Sequence, residues 1–183
     1  MNRPHCTAYF AMSLDGFIAD AAGGVDWLNT EAAAADGESD FEAFIGDIDA
    51  LLMGRVTFLQ FLAFGEWPYS KPIFVLRNSL TELPGDLGGE AYLIRGTPRA
   101  LLAEMQRRGH HRLYIDGGET VRSFLAEDLI DGISMTLVPI LLGSGVRIFG
   151  ERAAPLTWTH ESSRVLADHL VQSTSRRCRE APA

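Results

Sequence analysis

The chain has 183 residues, 46% of them apolar and 22% charged, with a formal net charge of −8. That length suits one domain with a sizeable core, and the acidic balance argues against general nucleic-acid binding, which draws its affinity from basic surface. No apolar run approaches the roughly 20 residues of a membrane span, residues 1–10 lack the pattern of a signal peptide, and Cys6 and Cys178 form no CxxC, so a reducing cytoplasm is the expected location, with no membrane partner.

In chain order, short apolar runs at residues 8–12, 50–53, 73–76, 92–94, 113–115 and 133–138 have strand length and are bounded by glycine, proline or charge. Helical spacing separates several of them. Phe41, Phe44, Ile45 and Ile48 follow it, with Ser39 and Glu42 placed as a capping box. Phe58, Leu59, Phe61 and Leu62 predict a second helix. Leu101, Leu102 and Met105 predict a third, with Thr97 as N-cap and Pro98 at the first helical position. Val121, Phe124 and Leu125 predict a fourth. Residues 156–176 read as antiparallel strands at a sheet edge. Strands alternating with helices imply a mostly parallel sheet covered on both faces, here as a single mixed α/β domain over 1–183. Residues 29–38 are small and acidic, suiting a surface loop or frayed helix, or else a flap beside a pocket.

Two strand ends share a pattern. In Tyr-Ile-Asp-Gly-Gly-Glu-Thr, residues 114–120, an apolar run stops at Asp116 and hands over to a helix through Gly117 and Gly118. A helix start offers free N–H groups and partial positive charge, so a phosphate fits there, and glycine removes the Cβ atoms that would block its approach. Thr120 adds a hydroxyl, and Glu119 must point away from any anion. A plain strand-to-helix turn is the equal alternative. Residues 53–57 repeat the pattern, with Gly54 followed by Arg55 and Thr57. Arg55 offers a bidentate grip on phosphate. A third end lies at Arg77 and Asn78. In α/β sheets ligands sit beyond the carboxyl ends of strands, so three such ends could converge on one phosphorylated ligand.

Other chemistries find no support. There is no GxxxxGK[ST], and Gly143-Ser144-Gly145 runs into Val146-Arg147-Ile148, which marks a turn between strands rather than a dinucleotide fingerprint. His5, His110, His111, His160 and His169 have no metal-ligand spacing, so no metal is expected. GxSxG is absent, as is the H-x-E and PCxxC signature of zinc deaminases.

Taken together, several segments resemble the dihydrofolate reductase-like family, most closely the reductase domain of bacterial riboflavin biosynthesis. They are Ala11-Met12-Ser13-Leu14-Asp15-Gly16, Gly24-Val25-Asp26-Trp27, Met53-Gly54-Arg55-Val56-Thr57, Ile115-Asp116-Gly117-Gly118, and Leu129-Ile130-Asp131 running into residues 138–145. The resemblance implies a mixed sheet of about eight strands with flanking helices. It also implies NADPH as hydride donor and a homodimer. On the family pattern Gly54, Arg55 and Thr57 hold cofactor phosphate, and Gly117 and Gly118 back the pyrophosphate. Glu119 and Thr120 add N–H groups, Arg77 and Asn78 meet the 2′-phosphate, and Ala11 and Ile18 flank the nicotinamide. Ser13, Asp15, Asp26 and Trp27 fall on the substrate side. The family's Gly-Gly peptide is cis, so the same is expected of Gly117–Gly118. Asp15, Asp26 and Glu31 are candidate proton donors, each with a structural alternative: Asp15-Gly16 is a turn signal, and Asp26 can cap the next segment. The position of the folate enzymes' pocket carboxylate is Ala32 here. The resemblance thus implies an NADPH-dependent reductase of a small pterin-like or pyrimidine heterocycle. The alternatives are the ribosylamino-pyrimidine reductase step of riboflavin synthesis and a non-catalytic nucleotide-binding protein.

Overall fold

Every other residue of the first strand is apolar on one side, and this alternation builds the middle of an eight-stranded sheet. The computed structural model describes residues 3–28, 41–63, 69–76, 82–83, 91–151 and 154–179. In chain order they form β1 (His5–Ser13), β2 (Phe17–Ala19), α1 (Phe41–Asp47), β3 (Ala50–Gly54), α2 (Arg55–Ala63), β4 (Ile73–Leu76) and β5 (Ala91–Ile94). There follow α3 (Pro98–Arg107), β6 (Arg112–Asp116), α4 (Gly118–Ala126), β7 (Gly132–Val138), β8 (Val146–Arg147), β9 (Trp158–Leu166) and β10 (Leu170–Arg177). The main sheet runs β5-β4-β3-β6-β1-β7-β10-β9, and β2 with β8 makes a separate small ribbon.

Strands from β5 to β7 pair in parallel, while β10 is antiparallel to both β7 and β9. This is the mixed sheet with an antiparallel C-terminal edge that the sequence predicts. The ribbon was not legible as a whole. Val146 and Arg147 read as strand-like, but β2 is three residues long and carries no periodicity of its own. Thr97 caps α3 as expected, accepting the Ala100 N–H at 3.4 Å. The capping box at Ser39, the stretch 29–38 with Glu31 and Ala32, and Arg77 with Asn78 lie outside the described residues.

Helices cover both faces. Leu101, Leu102 and Met105 of α3 and Val121, Phe124 and Leu125 of α4 pack with Cys6, Ala8, Leu52 and Ile115 on one side. Ile45 of α1 and Phe58 of α2 pack with Leu51, Met53, Val75 and Tyr114 on the other. Burying each such side chain contributes roughly 1.5–3 kcal/mol, so the core is held from both faces rather than by helix propensity.

The chain ends are tied at one point. Asp131, just before β7, accepts two hydrogen bonds from Arg3 at 2.7 and 2.8 Å and one from the Cys6 N–H at 2.8 Å, and it pairs with Arg179. Arg177 and Arg179 also pair with Asp128. Burial alone would raise the pKa of Asp131, but the bonds from Arg3 and Cys6 hold it below the usual carboxylate range.

Candidate active site

Sheet register places the expected strand ends on one rim. Gly54 at the end of β3 stands opposite Leu76 at the end of β4, and Met53 stands opposite Asp116 at the end of β6. Because these strands are parallel, residues 54, 76 and 116 end their strands on the same side of the sheet. Two helices, α2 and α4, begin at this rim within one strand spacing of each other. Their first-turn N–H groups have no intrahelical acceptors.

The two glycine turns interlock. A Cβ on Gly117 would overlap the Thr57 hydroxyl oxygen, one on Gly118 would lie 2.6 Å from Ile18 Cδ1, and one on Gly54 would lie 3.0 Å from Thr120 Oγ1. Thus the close approach that the glycine pair invites is made partly by the protein itself. Gly117 takes φ 88° and ψ 135°, a conformation that strains any residue with a Cβ. The expected cis bond is corrected: Gly117–Gly118 is trans, and the positive φ of Gly117 makes the bend instead. The Thr120 side chain is also placed differently from expectation. It is 4% exposed and packs on Gly54, so its hydroxyl does not face solvent. Glu119 and Arg55 are exposed at the first turns of α4 and α2.

The sheet splits beside this rim. Registered pairing of β1 with β6 ends at Thr7 and Tyr114, whereas β1 stays paired with β7 through Ser13 and Val138. The freed Tyr9 carbonyl accepts the Tyr114 hydroxyl at 2.8 Å, so no buried acceptor is orphaned there. The order of connections reverses at the same place, since β6 leads through α4 over β1 to β7. Such a switch point is where open α/β sheets form ligand crevices.

Asp116 stands at the mouth of the split. Its Oδ1 accepts the Gly117 N–H at 2.7 Å, and its Oδ2 is buried without a well-directed donor. Burial pushes its pKa up to about 6, against the pull of the Gly117 N–H and the neighbouring Tyr114 and Tyr69 hydroxyls. Sequence reading placed Asp116 in a motif but gave it no role. Strand alternation sets Tyr114 on the same face two residues away, but Tyr69 comes from a distant segment that no local pattern brings near.

The expected substrate-side residues fall into two groups. Ser13 is fully buried, donates to Asp15 Oδ1 at 2.6 Å and accepts the Phe17 N–H at 3.0 Å. Asp15 also accepts the N–H groups of Leu142 at 3.2 Å and Gly143 at 2.7 Å. The Ser13 hydroxyl, followed by the backbone donors, holds the Asp15 carboxyl below its ordinary pKa. These two side chains fasten the turn between β1 and β2 to the loop after β7. Trp27 lies elsewhere, packed with Ala11, Val138, Leu166 and Leu170, and its Nε1 is buried without a partner among the described residues. Asp26 is exposed on a short helical turn. Ile18 sits against Gly118 and joins the apolar cluster under α4, whereas Ala11 joins the Trp27 cluster.

Among the described residues no group of side chains could hold a metal ion. No described helix is long and apolar enough to cross a membrane.

Comparison with known proteins agrees with this geometry. Residues 73–172 match the model of the RibD C-terminal domain. The Bacillus subtilis protein YwjB is 31% identical over 78% of this chain and 81% of its own length. The riboflavin biosynthesis protein RibD of Corynebacterium ammoniagenes is 28% identical, and the match covers 96% of this chain but only 54% of that protein. Among solved structures, a putative riboflavin biosynthesis protein from Shewanella sp. PV-4 superposes with a TM-score of 0.90 at 41% identity, covering 96% of this chain and 99% of that one. Dihydrofolate reductase from Enterococcus faecalis superposes with a TM-score of 0.65 at 16% identity over 94% of this chain and 96% of that one, which shows a shared fold. The sheet order, the paired glycine turns and these matches place the chain in the RibD C-terminal domain family.

Proposed function

We propose that the chain is an NADPH-dependent reductase that delivers a hydride to a small nitrogen heterocycle of the pyrimidine class. The observation that carries this reading is the rim itself: two helix starts and two glycine turns stand side by side at a split in the sheet. Paired helix N-termini suit a pyrophosphate, and Arg55 at the start of α2 suits a further phosphate. The site therefore fits the cofactor. Gly54, Arg55 and Thr57 would hold its phosphates with Gly117, Gly118 and the N–H groups of Glu119 and Thr120, while Arg77 and Asn78 would extend the phosphate contacts. Ala11 and Ile18 would border the nicotinamide.

When bound, the reduced nicotinamide supplies the hydride. The chain's own tasks are to orient the ring, exclude water and hold a proton. Among the described residues Asp116 is the carboxylic acid whose pKa is pushed up, so its Oδ2 is the atom in this rim suited to carry a proton near neutral pH. Asp15 is held low by Ser13 and shapes the turn. Trp27 would form an apolar wall on the substrate side. We take residues 1–183 as one such unit, cytoplasmic and paired as a homodimer, with the pterin-like ring as the second substrate choice.

The test is a titration with NADPH and NADH followed by tryptophan fluorescence, then a screen of pyrimidines and dihydropterins for cofactor oxidation. Binding of NADPH over NADH with oxidation by a pyrimidine is expected. Binding without any oxidation would favour a non-catalytic nucleotide-binding protein, and no binding would end the reading.

A further inference from the structure

On the sheet face shared by Ala11 and Tyr9, four strands present a transverse row. Ala11, Thr136, Gln172 and Arg164 stand in register across β1, β7, β10 and β9. The next row holds Tyr9, Ser134, Thr174 and Ser162. The rows are exposed at their β9 ends, Arg164 and Ser162, but polar and buried inside: Thr136 is 9% exposed, Ser134 6% and Gln172 2%. Buried amides and hydroxyls are normally hydrogen-bonded, and Gln172 is. Its Oε1 accepts from Arg164 Nε at 2.7 Å and Nη2 at 2.5 Å. Its Nε2 donates to the Tyr9 hydroxyl at 2.6 Å and, at a longer 3.4 Å, to Thr136 Oγ1.

The direction of these bonds is forced. A guanidinium has five donors and no acceptor, so Gln172 must turn its oxygen to Arg164 and its NH2 to the hydroxyls. Thr136 therefore accepts on that side and keeps its own proton for another acceptor. No acceptor for that proton is found among the described residues. One row away, Ser134 Oγ is buried with no partner. Two buried hydroxyls with protons to give thus lie on this face, Thr136 beside Ala11, the residue read as bordering the nicotinamide, and Ser134 beside Tyr9 in the next row. A site built to hydrogen-bond one kind of ring edge discriminates strongly against the other, because its own polar groups are then left unpaired.

We propose that Gln172, aimed by Arg164, is a positioning residue that turns the Thr136 hydroxyl into a donor, so that the pocket selects a heterocycle presenting a carbonyl rather than an amino group on this side. The inference rests on the reductase reading and names the residues that would recognise the carbonyl edge of its substrate. Gln172 touches no reacting atom; it acts through Thr136.

Gln172→Glu inverts the polarity while keeping the partner. A carboxylate still pairs with Arg164, but it offers Thr136 only acceptors, so the Thr136 proton is used internally. The experiment measures affinities for uridine and cytidine, which carry a carbonyl and an amino group respectively at C4, with N3 protonated in uridine and bare in cytidine, with and without NADP+. Wild type is expected to bind uridine about tenfold tighter, the value of one modest buried hydrogen bond. Gln172→Glu should lose or reverse that ratio while its affinity for NADPH stays unchanged. Thr136→Ser should keep the ratio and Thr136→Val should lose it, a pattern that a purely structural role for the row does not produce. An unchanged ratio in folded Gln172→Glu, or wild type that binds neither nucleoside, overturns the inference. Failure to bind NADPH would break the reductase reading instead, while the ratio measured without cofactor still decides this one.

Discussion

The two halves of the sheet solve different problems. From β5 to β6 the strands are short, parallel and largely apolar, and they end on one rim. From β7 to β9 the sheet turns antiparallel, and one face carries Ser134, Thr136, Gln172 and Arg164. The first half ends its strands at backbone, and backbone N–H groups suit phosphates irrespective of the rest of the ligand. The second half offers side chains whose donors and acceptors can tell one ring from another. Invariant and variable parts of a ligand are thus met by different structural means.

Within the parallel half, Gly117 is the position most sensitive to substitution. Gly117→Ala adds a Cβ that overlaps Thr57 at a backbone with φ 88°. A loss of about 2–3 kcal/mol is expected, read as a melting temperature lower by roughly 5–10 °C for a chain of this size. Thr57→Ala in the same chain should recover part of it; no recovery would mean the two turns are not interlocked.

Next in size is Asp116. Its folded pKa of about 6 lies above the ordinary carboxylate value, so the fold favours the neutral form. The sign follows: a penalty grows as pH rises from about 4 to about 6 and is constant above, reaching roughly 3 kcal/mol. Asp116→Asn should remove that component, so the stability difference between variant and wild type should grow in the variant's favour over this window. Urea unfolding at several pH values measures it. A difference that does not change with pH would show that the carboxyl ionises freely in the fold.

At the same rim, Arg55→Ala should weaken NADPH binding by about 10- to 100-fold, the value of a charge-assisted bond. NADH affinity should fall less. Equal losses for both would place Arg55 away from the distinguishing phosphate.

The smallest effect belongs to the other half. Ser134→Ala removes a buried hydroxyl that has no partner, so stability should stay level or rise by up to about 1 kcal/mol. A clear loss in melting temperature would show that the hydroxyl is bonded in solution.

This contrast also explains what was legible. Gly54 and Gly117 announce themselves because each closes a local apolar run, and parallel pairing then brings them together. The edge strands were legible because residues 156–176 hold strand-like segments and no helical spacing. The row of Ala11, Thr136, Gln172 and Arg164 was not, because its members come from four strands spread along the chain. Ser134 and Thr136 alternate with Ile133 and Met135, which hints at a polar face but not at its partners. Ser13 and Asp15 stood inside a recognisable motif, yet only the structure shows their mutual bond and the hold on Gly143. The Gly-Gly peptide was expected from resemblance, and here the local conformation of Gly117 makes the bend with a trans bond.

Arg3 and Arg179 meet at Asp131, where the parallel strands begin, on the edge of the sheet opposite the glycine turns. Anything joined to either terminus, whether a reporter, a surface tether or a second enzyme, would hang from the back of the molecule. A fusion near Arg3 or Arg179 should leave the mouth of the crevice open and should not alter the NADPH binding proposed above.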